Sequence, residues 1–399
     1  MRPLSRLCAA SALVIASALW APLARAETPA PQTDPARPTD PIWLTPAEIA
    51  AAITRQDSLK GLYELRYSPA LGQIFVTATP GFGDDLPGFL HVLEADSLRV
   101  IRQIQLPRRA FALALDEGRG LLYVGHTMDG AISVVDAKSG QVLNVIQLGQ
   151  PDAEGKTEHT RMIRLDTERQ LAFVTSPGAD GLVWIVDTAT GSIRHRISDA
   201  GLWRAGAAYD AQRGVIWVSG GGMEEVNGWS VETGEKVAGF STGDTTAPGK
   251  EASQHFFVNL AIDEAGQRLF ATDSNSGALY TFDIATGKLT GRTEIGVGPL
   301  DVVFNAARNE IYVTWRGDSR EVSGGTGGLA ILDGTDLSVR HRLDLPAHPN
   351  TIEMDAKGDT LWLTVKAPYS DKHPAWRAEQ VDQVLRLDLP LPAQARQTD

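Results

Sequence analysis

Residues 111–149, FALALDEGRGLLYVGHTMDGAISVVDAKSGQVLNVIQLG, hold four short apolar runs: 111–115, 121–126, 131–136 and 141–148. Turn formers part them: Glu117-Gly118, then Met128-Asp129-Gly130, then Lys138-Ser139-Gly140. Short runs bounded by Gly, Asp and Ser predict strands joined by tight turns. The second run has an aromatic at its centre, Tyr123, and counterparts stand at Phe75, Phe173, Trp217, Phe270, Tyr312 and Trp362, 42 to 53 residues apart. A period of that size with four strands per unit predicts the blade of a β-propeller. Seven units predict an all-β, seven-bladed β-propeller of four-stranded antiparallel blades, filling 62–389 as one domain. The last unit has no fourth strand after Leu389, so a segment near residues 50–60 is expected to supply it. Pairing of the N- and C-terminal segments would then close the ring. Thr45-Pro46-Ala47-Glu48 has the form of a capping box with proline at the first helical position, which predicts a short helix to about Ile53. Residues 45–61 thus read as a helix and closing segment, and 390–399 as a tail.

The ends of the chain change the picture of where it works. Arg2 and Arg6, the apolar run Leu7–Leu19 and Ala24-Arg25-Ala26 have the three parts of a secretory signal peptide, expected to be cut between Ala26 and Glu27. The run is short for a membrane span, and no later stretch approaches eighteen apolar residues. Residues 27–44 begin ETPAPQTDPARPTDP, rich in proline and without apolar periodicity, and read as a disordered leader. Cys8 is the only cysteine and lies in the part to be removed, so the mature chain offers no disulfide and no thiolate. Loss of Arg2, Arg6 and Arg25, with no acid among residues 1–26, takes the formal charge from −12 to −15. A chain this acidic is a poor general binder of polyanions, which leaves local basic patches as the only route to one.

The turn after the third strand repeats as DAKSG (136–140), DTATG (187–191), VETGE (231–235) and DIATG (283–287). Its acid and glycine have a sufficient backbone reason at a hairpin turn, and calcium is the weaker reading. This unit resembles the YVTN-type β-propeller repeat. Five further stretches stand out: KGLYELRYS (60–68), QHFFVNLAID (254–263), VVFNAARNEIYVTWR (302–316), AHPNTIEMDAKGDTLWLTVK (347–366) and VDQVLRLDL (381–389). Through them residues 45–389 resemble the YncE family of bacterial periplasmic propellers. The resemblance implies a periplasmic seven-bladed ring, a link to single-stranded DNA as a partner, and iron-responsive expression. A place beside outer-membrane iron-uptake machinery is compatible with it.

In a propeller the loops leading into the innermost strands share one face with the loops between second and third strands. The long irregular loops here are all second-to-third (79–88, 176–180, 220–227, 316–328 and 366–382), so function is expected on that face. Aligning the inner strands on Ser68, Asp116, Asp166, Asp210, Asp263, Asn305 and Asp355 puts Arg109, His159, Trp203, Phe256 and His348 at one repeat position. Tyr63, Arg161 and Asn350 fall at another, with Arg204 and His255 beside the first. The ends of the second strands add Trp315, Arg316 and Lys366. Any one of these can simply pack, since aromatics at the start of an inner strand plug a channel. A plug needs apolar bulk, however, and Arg109, Arg161, Arg204 and His255 do not supply it. The set reads as a funnel ring for an anionic or aromatic ligand.

Catalytic signatures are absent: no HExxH, no Gly-x-Ser-x-Gly and no phosphate loop. No cofactor is expected. His159, His255 and His348 belong to different units, which spreads any metal site around the ring. A metal-assisted, lactonase-like hydrolase acting in the same funnel is the alternative to a non-catalytic binding protein, and rests on fold analogy alone.

Overall fold

The computed structural model describes residues 41–391, apart from 82, 84–85, 152–153, 179–180, 199, 224, 245–253, 319–323, 346–347 and 369. The signal segment 1–26 with its Ala26/Glu27 junction, most of the leader and the tail after 391 lie outside the described residues.

Seven four-stranded antiparallel sheets follow one another along the chain. Blade 1 is Leu62–Ser68, Gln73–Ala78, Gly88–Glu94 and Val100–Leu106, and blades 2 to 6 repeat the order between residues 113 and 345. Blade 7 takes His348–Met354, Thr360–Lys366 and Asp382–Asp388 from the end of the chain, and its outermost strand, Ile53–Leu59, from the beginning. That strand pairs antiparallel with Asp382–Asp388, with Thr54 opposite Arg386 and Gln56 opposite Val384. The ring is closed by its two ends, as the missing strand of the last unit required.

The helix leading into the closing strand is Pro46–Ala52. Thr45 caps it in a reciprocal box with Glu48, and Ile49 packs with Leu44 against blades 6 and 7. It stops one residue before the sequence pattern placed its end, because Ile53 already has extended backbone and begins the strand. One strand was not foreseen: Ile42–Trp43 adds in parallel to the outer edge of blade 6, opposite His341 and Arg342.

Each blade is apolar on both faces and must bury both against its neighbours. Seven core clusters result, and the periodic aromatics sit one in each. Trp217 stacks on Phe240 at 4.3 Å and Trp362 on Tyr67 at 4.5 Å, the latter joining blade 7 to blade 1. Burying a side chain of that size contributes roughly 1.5–3 kcal/mol, which explains why the aromatic is the feature that repeats.

A second device repeats two residues after the aromatic. Thr77, Thr175, Ser219, Thr272, Thr314 and Thr364 stand there, with Gly125 in blade 2. Each hydroxyl accepts the N–H of its own inner strand and donates to a carbonyl of the next blade's inner strand. Asn259 N–H reaches Thr272 Oγ1 at 3.1 Å, which donates to Leu300 O at 2.9 Å. At the seam, Thr364 Oγ1 donates to Tyr63 O at 2.7 Å. An inner strand has no further strand to pair with, so its free edge needs such partners. Thr272→Val is therefore expected to cost about 1–3 kcal/mol, the cost of stranding buried backbone groups. Thr272→Ser should cost less, and chemical denaturation of the two variants side by side checks this.

The acidic turns are satisfied by backbone. Asp136 Oδ1 accepts from the N–H and hydroxyl of Ser139 at 2.6 and 2.7 Å, and Asp283 Oδ1 from the N–H and hydroxyl of Thr286 at 2.7 and 2.8 Å.

Candidate functional site

The funnel ring separates into groups. Tyr63, Asn350 and Lys366 come together across the closing seam: the Lys366 ammonium lies 3.8 Å over the Tyr63 ring, and Asn350 Nδ2 donates to Tyr63 O at 3.2 Å. Lys366 also donates to Leu62 O and lies 3.6 Å from Asp382. Burial pulls its pKa down to about 8. Tyr63 in turn meets Phe111 edge-on at 4.7 Å.

Several predicted members are turned into the blades. Arg109 is buried, with Nη2 3.2 Å from Asp129 Oδ1. Beneath it His126 contacts Arg109 O at 2.9 Å and Ser133 Oγ at 2.7 Å, and burial drives its pKa to about 4, so the imidazole is neutral. Arg204 is fully buried, 5.4 Å over the Trp229 ring, and donates to Val218 O, Ser219 O and Ala200 O. Burial lowers its pKa to about 10. His255 is 2% exposed, with Nδ1 2.7 Å from Asp273 Oδ2 and Nε2 2.8 Å from Asp244 Oδ2, and its ring stacks on Phe257 at 5.3 Å. Trp315 is buried and donates from Nε1 to Thr326 O at 3.1 Å. His348 is buried, 3.4 Å from Asp318 and edge-on to His373, and burial lowers its pKa.

Tyr63, His159, Arg161, Trp203, Phe256, Arg316 and Asn350 keep part of their surface. Arg161 Nη1 donates to Glu64 Oε1 at 3.2 Å. Trp203 and Phe256 flank the Gly220–Gly222 loop: Gly221 N–H donates to Trp203 O and Gly222 N–H to His255 O, both at 3.1 Å. A Cβ at Gly221 would come within 2.4 Å of the Phe256 ring, so only glycine lets the aromatic lie there. Trp203 itself has φ 46°, a left-handed conformation rare for a bulky residue. A hollow of ≈ 270 Å³ on the same face lies between blades 1 and 2, lined by Leu86, Pro87, Gln105, Arg108, Arg109 and Asp129 among others.

A larger cavity, ≈ 390 Å³, runs along the ring axis, and its charged lining includes Glu64, Arg66, Arg161, Arg164, Asp301 and Glu353. Of these only Arg161 stands out in the sequence reading. The signal was present at two repeat positions, four residues before the strand-ending residue (Glu64, Asn259, Asp301) and two before it (Arg66, Arg164, Glu353). Among the described residues, no three His, Cys, Asp or Glu gather as a metal site, and no helix is long and apolar enough to cross a membrane.

These features define a class: a seven-bladed β-propeller with an aromatic and cationic face and a charged axial channel. Comparison with known proteins narrows it. The chain is a homologue of the proteins named YncE, as the repeat resemblance implied. It is 26% identical to YncE of Salmonella typhimurium (strain LT2) over 335 residues, 83% of this chain and 89% of the relative. It is 26% identical to YncE of Escherichia coli (strain K12) over 347 residues, 86% and 92% of the two chains. No family model matches the chain. Among solved structures, U3-55K superposes with TM-score 0.64 at 13% identity, over 85% of this chain and 99% of its own. The WD40 repeats of RRP9 give the same score and identity over 86% and 98%. Likeness at that identity speaks to the fold alone.

Proposed function

We propose that this chain is a non-catalytic binding protein whose long-loop face takes an anionic or aromatic ligand, single-stranded DNA being the fullest version of that reading. The observation that carries it is Trp203. A half-buried indole held at φ 46° is a strained arrangement, and such strain persists where the surroundings enforce it, often at ligand sites. Phe256 across the Gly220–Gly222 loop offers a second ring face, and Arg316 a cationic group on the same face. A stacking surface beside a guanidinium is the minimal equipment for holding a base and its phosphate. The segment 1–26 supports a periplasmic location for this activity. Net charge opposes long-range attraction of a polyanion, so affinity would come from contact rather than steering.

Titration of a single-stranded oligonucleotide at several salt concentrations tests the reading. Trp203→Ala should weaken binding by about 1–3 kcal/mol, one stacked base. Arg316→Ala should reduce the salt slope by roughly one phosphate's contribution. Binding by both variants equal to wild type would sink the proposal for this face.

A further inference from the structure

We infer that the axial channel is a second binding site, for a small zwitterion that carries a carboxylate and a protonated amine on one compact skeleton. It is distinct from the surface around Trp203, Phe256 and Arg316, none of which lines it, although Arg161 and Asn350 of the funnel set do.

The channel's formally charged groups are four acids, Glu64, Glu117, Asp301 and Glu353, and three arginines, Arg66, Arg161 and Arg164, so the two signs nearly balance. Much of that charge has a structural use. Glu64 accepts Leu113 N–H at 3.0 Å, Asp301 accepts Ile352 N–H at 2.8 Å, and Glu353 accepts Tyr67 N–H at 3.2 Å. Each carboxylate thereby satisfies the free edge of the next blade's inner strand, from blade 6 through 7 and 1 to 2. Arg66 lies between Glu64 and Glu353, at 3.7 and 3.6 Å. Stitching of this kind accounts for the acids and for Arg66.

It does not account for Arg164 and Asn259. Arg164 donates from Nε to Ala207 O at 2.9 Å, which orients the side chain. Its two terminal nitrogens, the fork that matches a carboxylate, have no hydrogen-bond acceptor among the described residues. Asn259 is 5% exposed and donates from Nδ2 to Asp301 Oδ1 at 2.8 Å. Its Oδ1 lies in the channel wall without a donor, a cost unless something supplies one. Asp301 feels the charge of Arg164 and holds Asn259, so the fork, the carboxylate and the lone amide oxygen belong to one neighbourhood. Burial lowers the Arg164 pKa and raises those of Asp301 and Glu353, the condition of charges short of compensation.

The missing partners are an oxyanion for Arg164 and an N–H donor for Asn259. An anion alone would leave the amide oxygen orphaned and face four acidic side chains; a cation alone would leave the fork empty. A zwitterion meets both needs without changing the channel's net charge. A volume of ≈ 390 Å³ admits a free amino acid and not a polymer. The lining runs from Arg161, Leu300 and Asn350 near the starts of the inner strands to Tyr67, Glu117 and Thr167 at their ends, so the cavity follows the inner strands along their length.

Calorimetric titration and thermal melts of the full mature chain test this with three kinds of probe: free α- and ω-amino acids, propionate and ethylamine. At least one amino acid is expected to bind at millimolar or lower concentration and raise Tm, with propionate and ethylamine at least tenfold weaker. Arg164→Gln and, separately, Asn259→Leu should each weaken that amino acid about tenfold or more, while Trp203→Ala leaves it unchanged. Failure of every amino acid to bind the wild-type chain overturns the inference. So does propionate binding as tightly as the best amino acid, which would make the site a plain carboxylate site. An unchanged affinity in Arg164→Gln would move any binding elsewhere. Oligonucleotide binding is read at Trp203 and Arg316, which do not line the channel, so either reading can fail while the other stands.

Discussion

A chain ending at Val381 is expected to lose the whole ring and not one blade. The missing strand, Asp382–Asp388, is the third of blade 7 and the partner of both Thr360–Lys366 and Ile53–Leu59. Val384, Leu385 and Leu387 are completely buried in it. Truncating one such side chain costs about 2–5 kcal/mol, so losing three approaches the 5–15 kcal/mol that holds a domain together. Asp382 adds a direct tie across the seam: its carboxylate accepts Leu62 N–H and Ala367 N–H, each at 2.7 Å. Without the strand, Ile53–Leu59 has nothing to pair with and blade 7 exposes an open edge next to blade 1. Circular dichroism and size-exclusion chromatography should show an expanded or aggregated chain. A cooperative melt at the wild-type temperature would mean that the blades stand without closure.

The ring was legible because its cause is local and repeated. An aromatic at the centre of each second strand has to be buried on both sides, and seven of them at a near-constant period leave few alternatives to a propeller. The closing strand was legible as an absence after Leu389. The hydroxyl two residues after the aromatic was equally visible in FVT, WVS, FAT, YVT and WLT. Its meaning was not, because half of its partners lie on the next blade and no single unit contains both. The funnel residues show a different limit. Repeat position fixes how far a residue stands from the axis, but its direction depends on a partner from another strand. Asp129 draws in Arg109, and Asp273 draws in His255. The channel's polar residues do not stand out because Glu64, Asn259 and Asp301 share their repeat position with Ala112, Met162 and Gly206, so they read as isolated polar residues and not as a ring.

His255 carries the second large effect, and the sign of its pH dependence follows from its neighbours. Burial opposes charge on the imidazole, but hydrogen bonds and the fields of Asp273 and Asp244 outweigh it and hold its pKa above the ordinary histidine value. Burial likewise works against ionised Asp273, and His255 with the Phe256 N–H and the Ser276 hydroxyl keep its pKa below the usual carboxylate range. A raised histidine pKa contributes stability that is complete below the unfolded value, about 6.5, and is lost as pH rises through the folded one. A lowered aspartate pKa contributes stability that is complete above the unfolded value, about 3.9, and is lost as pH falls through the folded one. The pair thus works at full strength between about pH 4 and 6.5. His255→Ala leaves the Asp273 carboxylate, 0% exposed, without its counter-charge. Breaking a buried pair costs about 3–5 kcal/mol. Phe256 N–H, Asn275 N–H and the Ser276 hydroxyl still donate to Asp273, at 2.8, 3.0 and 2.7 Å, so the lower end of that range is expected. The gap between wild type and His255→Ala should be widest near pH 5.5 and smaller at pH 8.5, because the charge contribution falls as pH rises above the unfolded value of about 6.5 toward the raised folded one. Urea denaturation at the two pH values reads this directly. A gap that is the same at both would mean that His255 contributes its ring to the packing against Phe257 and Tyr280 and its charge contributes nothing.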